Sequence, residues 1–130
     1  MEVFVPVRNV RRLEIGPAQA AVCSLPSDGG IGDISAQDTT LTIEGWAPWS
    51  SETGAQGMRV LSARPLHDGL LSTKTRPDIA ERLQDYRFVK AGFKLRISSA
   101  DGKPLQPDEL NLIAFGASRE DIRLIGGGCR

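Results

Sequence analysis

At 130 residues, 40% apolar and 25% charged, the chain is long enough for one hydrophobic core and ordinary in composition for a globular domain. Sixteen basic residues balance sixteen acidic ones, which argues against a nucleic-acid-binding module, since such modules carry a basic excess or cluster. Aromatic residues make up only 5%, so Leu, Ile, Val and Ala must build the interior, and no apolar run reaches the roughly 18 residues of a bilayer span.

The first residues, Met1-Glu2-Val3-Phe4-Val5-Pro6, lack the basic start and long apolar stretch of a secretory signal. That leaves two readings, a cytoplasmic protein or a segment of a longer one that is targeted by other parts. Residues 2–15 are β-like, with Val3, Val5 and Val7 alternating until Arg8, Arg11 and Arg12 interrupt; a solvated strand end accounts for these arginines. A short apolar run spans 20–25, and the glycine-rich stretch 27–33 reads as a turn. Residues 39–47 alternate, with Leu41, Ile43 and Gly45 on one face and Thr42, Glu44 and Trp46 on the other. After a loop over 48–57, two strands are predicted over 58–64 and 70–75, around a turn at His67-Asp68-Gly69. One short helix follows Pro77, capped by Asp78 with Glu81 reaching back in a capping box, and ends near Asp85. Residues 87–98 alternate strictly, placing Val89, Ala91, Phe93, Leu95 and Ile97 inward and Lys90, Lys94 and Arg96 outward, as in a half-buried central strand. A buried run over 112–115 and a last strand over 122–125 complete the pattern. Short strands separated by turn signals, fourteen glycines and eight prolines predict a mainly β, two-sheet antiparallel sandwich with one helical crossover.

Three motifs stand out in this order: Gly45-Trp46-Ala47, Arg76-Pro77-Asp78-Ile79-Ala80 and Ala91-Gly92-Phe93. Together they resemble a family of bacterial accessory β-sandwich domains that accompany surface-polysaccharide and glycosyltransferase proteins, often outside the membrane. The resemblance covers about residues 23–129. It implies an immunoglobulin-like fold over 23–130, leaves residues 1–22 as an N-terminal extension or strand of uncertain role, and carries no catalytic residues or cofactor. The function it implies is a non-enzymatic accessory or interaction domain of a larger envelope protein, on the periplasmic or extracellular side, partnered by other domains of that protein or by a glycan.

Trp46 and Trp49 are the only tryptophans, and two indoles on one edge would stack on sugar rings in a carbohydrate-binding module, the alternative reading. Strict alternation turns Trp46 toward solvent, whereas a bulge at Gly45 would return it to the core, and the scarcity of aromatics favours the core. Trp49, after Pro48, is the better candidate for exposure. Arg76 and Asp78 read as a structural corner rather than a ligand-binding pair, because a residue before proline is held extended and an aspartate satisfies open N–H groups at a helix start. Cys23 and Cys129 open and close the family-like region. First and last strands of a sandwich are often neighbours, so a disulfide is expected in an oxidising compartment, and two free thiols in a cytoplasmic one. A small enzyme is the remaining alternative. His67 is the sole histidine, which excludes the usual histidine-based metal site, and no Gly-x-Ser-x-Gly elbow accompanies it. Glu120-Asp121 shows no glycosidase pattern.

Overall fold

A computed structural model describes residues 12–18, 23–49, 56–116 and 121–126. Among these described residues, eight strands form two four-stranded sheets: β1 (Arg12–Gly16), β2 (Gly30–Gln37), β3 (Thr40–Trp46), β4 (Gly57–Leu61), β5 (Leu66–Lys74), β6 (Gly92–Ser99), β7 (Asn111–Phe115) and β8 (Ile122–Gly126). One α-helix, α1 (Pro77–Leu83), bridges β5 and β6. The strand orders are β2-β3-β6-β5 and β1-β4-β7-β8. Without β1, these are the two sheets of an immunoglobulin constant-type sandwich, four strands facing three. The extra strand β1 lies beyond β4 and runs parallel to it, from Arg12 opposite Gly57 to Gly16 opposite Leu61. Every other pairing between these strands is antiparallel, and an isolated parallel bridge joins Ser27 to Arg123.

Alternation places the core where the sequence predicts it. On β3, Leu41 and Ile43 point inward opposite Ile97 and Leu95 of β6, and Met58, Val60, Leu112 and Ala114 face them from the second sheet. β6 is central in its sheet, and Phe93, Leu95 and Ile97 are fully buried. The opposite face of the second sheet is covered as well. Leu61 and Ile113 pack with Leu25, and the Arg59 guanidinium lies 4.6 Å from the Phe115 ring centroid while pairing with Glu14 and Asp121.

Four local expectations need correction. The segment read as a turn over 27–33 continues into β2, an edge strand whose residues after Ile31 are all exposed and which carries a bulge between Ile31 and Asp33. His67-Asp68-Gly69 is a bulge within β5, where Asp68 has φ 55°, and not a turn between paired strands; β4 and β5 belong to different sheets. The strand carrying Phe93 starts at Gly92. Before it, the Asp85 side chain accepts a hydrogen bond from the Arg87 N–H and folds Tyr86–Phe88 into a 3-10 turn, so Val89 lies outside the ladder. The helix forms where it is predicted but starts earlier, at Pro77 itself: its N-cap position is Arg76, no side chain caps it, and Asp78 sits already inside the first turn.

The interior makes one quantitative prediction. Phe93→Ala removes a fully buried ring and is expected to cost about 3–5 kcal/mol through the cavity left behind. Chemical denaturation reads this directly, and a loss under about 1 kcal/mol would contradict the packing described.

Candidate functional site

The three motifs of the sequence converge on one corner. In the β3–β6 ladder, Gly45 lies opposite Phe93 and Trp46 opposite Gly92, and the Ala47 N–H continues the pairing to the Ala91 carbonyl at 3.1 Å. Arg76 joins them from the end of β5, its N–H donating to the Val89 carbonyl at 2.6 Å. Glycine is required at Gly92 because a Cβ there would stand 2.5 Å from Arg76 Cγ and 2.8 Å from the Lys74 carbonyl oxygen. A Cβ on Gly30 would likewise meet Trp46 Nε1 at 2.8 Å. The indole of Trp46 therefore lies across Gly30, half-buried on the outer face of its sheet, in a row that runs Gly30, Trp46, Gly92, Lys74.

The two tryptophans exchange their expected places. Trp49 is fully buried, donates from Nε1 to the Phe115 carbonyl at 3.0 Å, and meets Phe93 edge-on with centroids 5.9 Å apart. Alternation ends at Trp46, and the irregular segment after it turns Trp49 inward between the sheets. Trp46 is the indole left at the surface.

Arg76 and Asp78 form a two-point pair, Nε to Oδ1 at 2.9 Å and Nη2 to Oδ2 at 2.8 Å. The guanidinium pulls the Asp78 carboxyl down to about 2, and Asp78 in turn raises Arg76. This pair replaces the expected capping box: proline at the first helical position moves the cap two residues back, from Asp78 to Arg76, and the Asp78 oxygens bond to the arginine. Beside it, Lys74 holds Glu44 at 3.0 Å and lowers its pKa. At the other end of the molecule, Arg64 binds Asp101 at 2.7 Å, Glu109 at 2.8 Å and the Pro104 carbonyl at 2.7 Å, and drives Asp101 to about 2.

Beside this pair, against α1, opens a pocket of about 580 Å³, lined by Pro77, Asp78, Ala80, Glu81, Tyr86 and Val89. Tyr86, at its mouth, is 80% exposed. Sequence reasoning passed over it. The available signal was a lone tyrosine just beyond a short helix in a chain poor in aromatics.

Compared with protein-family models, curated proteins and solved structures, the chain matches none. The residues themselves thus carry the functional argument.

His67 has both ring nitrogens engaged, Nδ1 with Asp68 at 3.1 Å and Nε2 with the Ser99 carbonyl at 3.0 Å, so no serine hydroxyl completes a triad there. Among the described residues no group of three His, Cys, Asp or Glu side chains has metal-holding geometry, and no helix is long and apolar enough to cross a membrane. Cys23 lies beside β8, since its carbonyl accepts from Arg123 Nη1 at 3.1 Å. Cys129 and Glu120 lie outside the described residues, and the expected disulfide with them.

The low carboxyl values of Asp78 and Asp101 set a pH dependence. Both are depressed from 3.8 to about 2 in the fold, so their contribution to stability is complete above about 3.8 and is lost as the pH falls through 2. Thermal denaturation between pH 7 and pH 2 is expected to show melting temperature falling over that window. Asp78→Asn with Asp101→Asn should flatten the fall, and an unchanged slope would count against both pairs.

Proposed function

We propose that the chain is a non-catalytic accessory or interaction domain of a larger bacterial envelope protein, partnered by the other domains of that protein or by a glycan surface. The observation that carries the reading is that five of its carboxylates are tied up in ion pairs with lysine and arginine side chains. Among the described residues, Glu44, Asp78, Asp85, Asp101 and Glu109 all move down, held ionised by Lys74, Arg76, Arg87, Arg64 and, for Glu109, first by the Gln106 N–H. A general acid near neutrality needs the opposite shift. These groups act as struts that tie loops to strands. The immunoglobulin-like strand order, common among cell-surface domains, supports the reading by analogy of fold. The half-exposed indole of Trp46 favours the glycan among the two partner classes, and the burial of Trp49 removes it from any sugar-stacking role.

Retention of the chain on immobilised bacterial polysaccharide, or by the other domains of its parent, without release of new reducing ends is the expected outcome. Turnover of the polysaccharide would overturn the non-catalytic assignment.

A bond between Cys23 and Cys129 belongs to the same proposal. Arg123 of β8 anchors the Cys23 carbonyl, and Cys129 follows the end of β8 at Gly126 by three positions. Peptide mapping of non-reduced protein is expected to find the crosslinked pair, and reduction should lower stability by up to about 4–5 kcal/mol. Two free thiols in oxidised protein would remove the bond and the support it gives to an envelope location.

A further inference from the structure

We infer that the pocket between α1 and the Tyr86–Phe88 turn is a subsite for one amino-bearing pyranose, with Tyr86 as the stacking platform and Glu81 as the partner of the sugar ammonium. The inference deepens the reading of a glycan-facing, non-catalytic domain and rests on it.

The pocket volume, about 580 Å³, falls in the range of small-molecule sites. Its floor is apolar: Pro77, the buried Ala80 and the half-buried Val89 offer a surface to the C–H face of a sugar ring. Tyr86 is the only tyrosine of the chain, and it stands almost entirely in solvent where an aromatic ring gains nothing from packing. Such a ring offers a flat π-face to C–H groups and a negative quadrupole to a cation. Its position is fixed by its neighbours. The Asp85 N–H donates to the Ala80 carbonyl at 3.0 Å, the Val89 N–H to the Tyr86 carbonyl at 3.0 Å, and Arg87 clamps Asp85. The backbone that carries the ring is thus fixed before any ligand arrives.

Charge selects the ligand. Asp78 and Glu81 both line the pocket, and the oxygens of Asp78 are committed to Arg76. Glu81 is exposed on the helix; its carbonyl accepts from the Gln84 N–H at 3.1 Å, while its carboxylate has no hydrogen-bond or ion-pair partner among the described residues. The Glu81 carboxylate is thus the charge on the pocket lining that is not committed to a basic side chain, and it offers a partner to an ammonium on a bound sugar. A de-N-acetylated hexosamine combines the apolar ring face with that cation.

The test is a titration of the full chain with glucosamine oligomers and with their N-acetylated counterparts, followed by amide chemical shifts. Shifts confined to residues 77–89 are expected for the glucosamine oligomer, with about tenfold weaker binding of the acetylated one, the size of a single charge-assisted contact. Glu81→Gln should weaken glucosamine binding by about tenfold and leave the acetylated ligand unaffected, and Tyr86→Ala should abolish both. Both side chains are exposed, so melting temperatures should not move, which separates lost binding from lost folding. Binding that survives Tyr86→Ala, shifts centred on Trp46, equal affinity for both oligomers, or equal binding of oligolysine would each overturn the subsite while leaving the accessory role intact. Cleavage of the oligomer would overturn both.

Discussion

A single side chain couples the two layers of this fold. Trp49 leaves the end of β3, presses its ring edge-on to Phe93 in one sheet, and donates its indole N–H to the Phe115 carbonyl at the end of β7 in the other. In an interior made mostly of aliphatic side chains, packing alone fixes the distance between sheets but is tolerant of sliding. A buried N–H is not tolerant, because an unmade hydrogen bond there carries the full cost of desolvation. The register of one sheet over the other is therefore set at this point, and the corner where Trp46, Gly92 and Arg76 meet inherits its geometry from it.

Ionic contacts complete the frame without entering the core. Arg59, Arg64, Arg76 and Arg87 each bind at least one carboxylate, and all four lie on loops or outer faces. Because these pairs are solvent-accessible, each contributes little alone. Their value is directional: a planar guanidinium with two carboxylate oxygens fixes the angle of a turn in a way that an aliphatic contact cannot. The Arg76–Asp78 pair in this manner aims α1, and so shapes one wall of the pocket beside Tyr86.

Much of the sandwich was legible in the sequence, and the reasons for the rest are local. β3 and β6 are central strands with one face in the core, so alternation marked their residues and their sides. β2 escaped notice because it is an edge strand with almost no buried side chains to leave a period. β5 appeared shorter than it is because Asp68-Gly69 carries a turn signature and is used for a bulge. β1 offers five residues and a parallel partner more than forty positions away, a pairing that no local pattern announces. The corner motifs were visible as residues, but their convergence was not, since it depends on ladder register. Trp49 was misplaced for a related reason: periodicity assigns sides only inside regular structure, and its segment is irregular.

The parallel course of β1 has a mechanical meaning. β4 runs with β1, β7 against them and β8 with them again, so Arg12 begins at one end of the sheet and Gly126 ends at the other. Tension applied between those points runs along the strands, and the ladder bonds of this sheet are loaded together in shear instead of parting one at a time. Resistance to such a pull is governed by the unfolding rate and not by equilibrium stability. A domain strung between neighbours in a chain under load would be held in its most resistant direction.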